Sequence, residues 1–173
     1  SVTLHEYEWD VDLMLLRGPS IVEGMLNILI ENTDISLHKA RIVMVGQGTI
    51  GSLATQTLVK LGAYVSVFAR NPVQRASAYA VGAEAYDLSE LPNRLSETDI
   101  LLSSVPAPVV DRVAIEQLPK RALLVDLAAP PGGIDRDAVS ELGLKFVWAR
   151  GLGRRAPVTV GRSQCSGIRP RIE

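Results

Sequence analysis

A short apolar run, Arg41-Ile42-Val43-Met44-Val45, leads directly into Gly46-Gln47-Gly48-Thr49-Ile50-Gly51. No other feature of the chain restricts its fold so strongly. The run is rich in β-branched residues and reads as a buried strand. Ile50, Leu53, Ala54, Thr57, Leu58 and Leu61 follow it. They fall on one face of a helix, which Gly62 ends. Strand, glycine turn and helix in this order are the context in which G-x-G-x-x-G denotes a dinucleotide-binding loop. Each glycine has its own task. Gly46 makes the turn, Gly48 lets the backbone approach a pyrophosphate, and Gly51 lets helix and strand pack closely. The backbone at Gln47, Thr49 and Ile50 completes the expected cradle, because a helix N-terminus offers unpaired N–H groups to phosphate.

The second strand, Ala63-Tyr64-Val65-Ser66-Val67-Phe68-Ala69, ends in Arg70 and Asn71, with Arg75 one turn further on. An NAD-selective protein places an Asp or Glu near this point to bind the ribose diol. Here no carboxylate is close by. Arg70 is suited to a forked pair with a 2′-phosphate. The expected cofactor is therefore NADP, preferred over NAD, with Arg70, Asn71 and Arg75 at the cofactor site. The plain alternative is a solvated Arg70, with backbone groups holding the ribose.

From residue 41 onward, strands and helices alternate. Asn71-Pro72 opens a helix as N-cap and first-turn proline, and Gly82 ends it. Further strands are expected at 83–86, 99–105, 122–127 and 144–148, with helices at 89–95, 111–118 and 135–142. The alternation predicts an α/β, doubly wound parallel sheet of about six strands. Residues 1–18 carry little periodicity. Ser20 and Glu23 have the spacing of a capping box. They predict a connector helix from Ile21 to about Glu31, apolar on nearly every side. Such a helix needs cover on more than one face, from the sheet domain and from an absent N-terminal domain or a second subunit. This gives residues 1–39 as linker and connector helix, 40–150 as the nucleotide-binding domain, and 151–173 as an active-edge loop and tail. A homo-oligomer is expected.

Ligands of such sheets lie beyond the carboxyl ends of the strands, where strand order reverses. Besides residues 46–51, three loops are candidates. Ser104, Val105 and Pro106 would let a nicotinamide ribose approach, or simply end a strand. Asp126 opens the loop Leu127-Ala128-Ala129-Pro130-Pro131-Gly132-Gly133. It is a candidate to orient a substrate group, water or cofactor, or else accepts hydrogen bonds from the turn behind it. Leu127 stands beside it against the cofactor. In the last loop, Arg150, Arg154 and Arg155 are suited to hold a carboxylate, and Gly151 and Leu152 to flank the cofactor. Asp126, Thr159 and Glu23 are the candidate proton acceptors, with Glu23 also readable as a helix cap. Trp148 reads as a core residue.

Composition removes other classes. Among 173 residues the net charge is -1, which gives no reason to expect nucleic acid. Cys165 is the single cysteine, so an internal disulfide and a cysteine-rich metal site are excluded. His5 and His38 lack metal-ligand spacing and read as surface or linker residues; no metal is expected. No apolar run approaches the roughly 18 residues of a membrane span, and no signal peptide is evident. The expected location is the cytoplasm. The chain begins at Ser1, as a fragment of a longer protein would.

Several stretches together resemble the A-type chain of dipicolinate synthase. They are Pro19-Ser20-Ile21-Val22-Glu23-Gly24, Ile30-Glu31-Asn32-Thr33, Val45-Gly46-Gln47-Gly48, Ala69-Arg70, Leu124-Val125-Asp126-Leu127-Ala128, Pro131-Gly132-Gly133, Gly151-Leu152 and Ala156-Pro157-Val158-Thr159-Val160-Gly161. The resemblance covers about residues 10–161. It implies a Rossmann-like domain and an NAD(P)-dependent dehydrogenase. The implied reaction oxidises a dihydro- or hydroxytetrahydro-dipicolinate, a small dicarboxylate, to pyridine-2,6-dicarboxylate. The resemblance also implies a role in sporulation and a flavoprotein-like second subunit. The chain departs from the family's Gly-Leu-Pro-Gly at Gly151-Leu152-Gly153-Arg154. After Gly161, where the family has an apolar helix, residues 162–170 read as too polar and broken for one. The alternatives are another small-acid dehydrogenase of the same fold, of shikimate, alanine or hydroxyacid type, or a non-catalytic nucleotide-sensing module.

Overall fold

The computed structural model describes the backbone of residues 10–172 and the side chains of residues 10–169; His5 lies outside them. In chain order the elements are α1 (Val11–Asn32), β1 (Arg41–Val45), α2 (Thr49–Lys60), β2 (Tyr64–Phe68), α3 (Pro72–Ala80), β3 (Glu84–Tyr86), β4 (Ile100–Ser103), α4 (Arg112–Glu116), β5 (Leu123–Asp126), α5 (Arg136–Leu142), β6 (Lys145–Trp148) and α6 (Pro157–Ile172). The helix expected at 89–95 is a 3-10 turn, Leu88–Asn93, and a second 3-10 turn spans Leu152–Arg155. The expected strands and their order along the chain are present.

All six strands pair in parallel, in the order β3-β2-β1-β4-β5-β6. This is the doubly wound Rossmann order, with its reversal between β1 and β4. The central strands are apolar on both faces because both faces are covered. Ile42 and Met44 pack toward α1 and α2 with Leu29 and Leu58. Val43 and Val45 pack the other way with Phe68, Leu91 and Ile115. The local signals at helix ends work as expected. The Asn71 side chain caps α3 by accepting from the Val73 N–H at 2.8 Å. Gly143 closes α5 in the left-handed conformation.

Two expectations are corrected. The first helix begins at Val11, ten residues before the predicted start. Gly18-Pro19 reads as a stop, yet the helix runs through it. Pro19 is exposed, where water can meet the carbonyl it leaves unpaired. Gly18 rests on Leu53, which a β-carbon there would strike. Ser20 is thus a buried residue inside the helix, and it forms no capping box with Glu23. By length and apolarity α1 would suffice to cross a membrane, but Leu13, Ser20, Val22, Met25 and Leu29 are buried against the rest of the domain, as in a core helix.

The second correction is α6. Residues 162–170 are helical despite their polarity. Ser163 is buried and its hydroxyl donates to the Val160 carbonyl at 2.8 Å. Gly167 lies so close to Leu13 that a β-carbon would collide with it. Small residues at i and i+4 let α6 lie against α1, and that contact supplies what its own polar sequence does not.

Candidate functional site

The six strands finish in register. Val45 is level with Phe68 and Ser103, Phe68 with Tyr86, Ser103 with Asp126, and Asp126 with Trp148. Each following loop therefore leaves from one line. The first residues of several still continue the ladder: Gly46 N–H donates to Phe68 O at 2.9 Å, Ser104 N–H to Val45 O at 3.0 Å and Leu127 N–H to Ser103 O at 2.8 Å.

The glycine turn occupies the reversal of strand order. Gly46 has φ +93°, and a β-carbon on it would lie 2.6 Å from Val105 Cγ2 and 2.8 Å from Ser104 Oγ. A β-carbon on Gly51 would strike the Gly46 carbonyl. These two glycines are fixed by the protein's own packing. Gly48 is not. Its φ is -74°, and a β-carbon there would meet nothing within 4 Å. The space over Gly48, at the N-terminus of α2, is where the turn lies open. Gln47 is 4% exposed; its Oε1 accepts from the Thr55 hydroxyl at 2.9 Å. Its side chain therefore anchors the turn to α2, while Thr49 and Ile50 are half-buried at the helix start.

Cavities lie on either side of this turn. On the β2 side, one of about 190 Å³ is lined by Gly46, Arg70, Asn71, Gln74, Leu88 and Val105. Arg70 is exposed, and its guanidinium has no hydrogen-bond or ion-pair partner among the described residues. Among the described residues no carboxylate lines this cavity. Arg75, expected at the cofactor site, serves the loop. Its Nη1 donates to the Ala69 and Arg70 carbonyls at 2.8 and 2.7 Å and pairs with Asp87 at 2.8 Å. Asp87 is held below the ordinary carboxylate range, first by the Ser89 N–H and hydroxyl, with the Arg75 charge adding to them.

On the β5–β6 side, a cleft of about 430 Å³ opens between α1, Ile50, the loop after β5 and the residues after β6. Leu127, Arg150, Gly151, Leu152 and Arg154 line it. Pro106 is exposed and lines neither cavity. Met14, Arg17 and Ile21 line the cleft from α1. Arg17 escaped the sequence reading because Gly18-Pro19 hid the helix turns that carry it; the i, i+3, i+7 spacing of these three was the available signal. Trp148 is not simply core. Arg136 and Arg150 stack on it, with guanidinium carbons 4.3 and 5.2 Å from its ring, and its indole N–H donates to Ala128 O at 3.0 Å.

The three candidate proton acceptors are not brought into this cleft. Asp126 is 1% exposed. Its carboxylate accepts from Ala128 N–H at 3.0 Å, Gly133 N–H at 2.7 Å and Ile134 N–H at 3.2 Å. It holds the loop after β5, the turn-accepting alternative. Glu23 is exposed, and two residues along α1 put it roughly 200° around the helix from Ile21. Thr159 lies on α6 beside Leu16 and Ser163, outside the cleft. Among the described residues no Asp, Glu or His lines the cleft, and no group of residues could hold a metal ion. A larger cavity, about 560 Å³, lies at Arg41, Tyr64 and Glu84, away from the carboxyl line. Its polar groups pair among themselves, Arg41 with Glu97 at 3.0 Å and Tyr86 with Glu84 at 2.9 Å.

The sheet order, the glycine turn at the reversal and the cavities flanking it define a Rossmann-type α/β domain of the dehydrogenase kind. The sequence model for shikimate / quinate 5-dehydrogenase matches residues 29–142, and the chain belongs to that family. It is also similar to the A-type chain of dipicolinate synthase from Bacillus subtilis, 29% identical over 152 residues, covering 87% of this chain and 51% of the relative. The chain thus spans about half the length of that relative. The crystal structure of the corresponding Bacillus halodurans protein superposes with a TM-score of 0.89 at 29% identity, covering 92% of this chain and 55% of that one. A glutamyl-tRNA reductase of Idiomarina loihiensis is 36% identical over 104 residues, covering 55% of this chain and 25% of its own. The resemblance to dipicolinate synthase read from the sequence holds in both sequence and fold, and these relatives support a nicotinamide cofactor for the domain.

Proposed function

We propose that this chain is the nicotinamide-nucleotide domain of an oxidoreductase of the dipicolinate synthase kind, corresponding to that enzyme's A-type chain. The observation that carries the reading is Gly48: nothing in the protein requires glycine there, and the space above it suits a pyrophosphate. The cavity at Arg70 then takes the adenosine ribose and the cleft beyond Ile50 takes the nicotinamide and substrate. Arg70 and the lack of a lining carboxylate favour NADP over NAD. When bound, the cofactor would supply the hydride chemistry, here removal of a hydride, with loss of a proton, from a dihydro-dipicolinate to give the aromatic diacid, a hydroxytetrahydro-dipicolinate also losing water. The chain's own residues bind and orient: Arg150 and Arg154 hold carboxylate, while Leu127 and Leu152 exclude water.

The proton released in that oxidation passes to solvent or to a group outside the described residues, since Asp126 is committed to its loop. We place the protein in the cytoplasm, as a homo-oligomer working beside a second subunit; its Bacillus relatives are named as subunits of a synthase. The lack of an acid lining the cleft among the described residues also favours a second reading, a nucleotide-sensing module without turnover.

The test is a titration of the chain with NADPH and NADH, followed by nicotinamide fluorescence and repeated on Arg70→Asp. NADPH is expected to bind at least about tenfold more tightly, from its charge-assisted phosphate contacts, and Arg70→Asp to remove the difference. Equal binding of the two would remove the NADP preference, and no binding of either would sink the assignment. Turnover of a dihydrodipicolinate separates the enzyme from the sensing module.

A further inference from the structure

Arg70 follows directly on the ladder that joins β2 to β3, which reaches Ala69 through its N–H to Tyr86 O at 3.2 Å. From there a side chain continues the tie. Arg75 Nη1 donates to the Ala69 and Arg70 carbonyls at 2.8 and 2.7 Å, and to Asp87 Oδ2 at 2.8 Å. The other carboxylate oxygen of Asp87 serves the turn after β3. It accepts from the Ser89 N–H at 3.1 Å and from the Ser89 hydroxyl at 2.8 Å. Asp87 thus gives one oxygen to each of two loops. Arg70 lines the cavity beside the glycine turn from the first loop, and Leu88 lines it from the second. Neither Arg75 nor Asp87 lines that cavity.

We infer that Asp87 is a positioning residue for cofactor selectivity: through Arg75 it sets where Arg70 meets the 2′-phosphate of NADP, without touching the cofactor itself. The inference rests on the reading of Arg70 as the partner of that phosphate. A forked contact needs the planar guanidinium in one place and orientation, not only its charge. Arg70 is exposed, so the protein controls it through the backbone from which its side chain reaches out. That backbone is what Arg75 holds. The side chains of Arg75 and Asp87 are 26% and 44% exposed. Water screens their attraction, so the pair acts through hydrogen-bond geometry more than through charge. The geometry asks for a carboxylate. Asp87→Asn keeps one accepting oxygen and puts an amide donor where the other stood, so one of the two loops is released.

The experiment titrates the full chain with NADPH and with NADH, below the thermal midpoint of every variant. It compares the unaltered chain with Arg75→Gln, Asp87→Asn and the double variant. Each single change is expected to reduce the preference for NADPH about threefold to tenfold, the scale of one hydrogen bond. NADH affinity is expected to stay unchanged, which shows that the fold and the glycine turn are intact. The double variant is expected to lose no more than the worse single one, because the two residues act as one unit. Arg75→Lys, which keeps a cationic donor and loses the fork, is expected to retain part of the preference. Asp87→Asn decides between positioning and direct contact. Were Arg75 itself a phosphate ligand, releasing it from Asp87 would tighten NADPH, and that result would overturn the inference. An unchanged preference in both single variants would reduce the pair to a stabilising tie and overturn it too, as would losses that add in the double variant. If the unaltered chain shows no preference for NADPH, the NADP reading fails and takes this inference with it. If the preference is present and ignores Asp87, only this inference fails.

Discussion

Arg75 Nη1 lies 2.8 Å from Asp87 Oδ2 while also donating to the Ala69 and Arg70 carbonyls. One guanidinium thus ties the end of β2 to the turn after β3, and it fixes the backbone that carries Arg70. The Asp87 pKa is lowered by the Ser89 N–H and hydroxyl and then by Arg75. Folding therefore favours the charged form. The contribution is fully present above the pKa of the unfolded carboxylate and is lost as pH falls below it. Asp87→Asn should lower the urea midpoint at pH 7, and the gap from the unaltered chain should close as pH falls through the carboxylate range. A gap that widens in acid would contradict this.

Asp126 should prove a loop anchor. Asp126→Asn replaces an acceptor of three backbone N–H groups with a side chain that offers one oxygen and an amide donor. The expected loss is about 2 to 3 kcal/mol in urea unfolding, the range for buried hydrogen bonds to a charged group. A variant as stable as the parent, yet inactive in turnover, would return Asp126 to a chemical role.

The contact between Gly167 and Leu13 should decide whether α6 stays docked. Gly167→Val forces α6 away from α1 and should cost about 1 to 3 kcal/mol, the usual penalty of overpacking. Limited proteolysis should then cut within residues 157–172 faster than in the parent. Equal protection would show that α6 is held by other contacts.

These outcomes separate what was legible in the sequence from what was not. The strands, the Asn71 cap and the Gly143 stop depend on neighbouring residues, so local pattern revealed them. The glycine turn was legible because strand, turn and helix follow one another in sequence, although Gly46 itself is fixed by Val105 and Ser104 from beyond β4. The early start of α1 was hidden because Gly18-Pro19 is a local stop signal, overridden by packing on Leu53. The helicity of α6 was hidden because it rests on α1, more than a hundred residues away. Side-chain roles were least legible. Gln47 with Thr55, Arg75 with Asp87 and Asp126 with Gly133 are partnerships set by the folded loops. Arg17 reaches the cleft only once α1 is extended back past Pro19.

The central claim, that the turn at residues 46–51 cradles a dinucleotide, is tested most directly at Gly48. A β-carbon there meets no protein atom within 4 Å and the backbone angle is ordinary, so Gly48→Val should lower the thermal midpoint by no more than the loss of a helix-capping glycine does. Gly51→Ala, which drives a methyl into the Gly46 carbonyl, should lower it. NADPH affinity measured on the intact, folded Gly48→Val chain should fall by at least about tenfold, because the valine fills the space the pyrophosphate needs. NADPH binding that survives Gly48→Val undiminished would contradict the account.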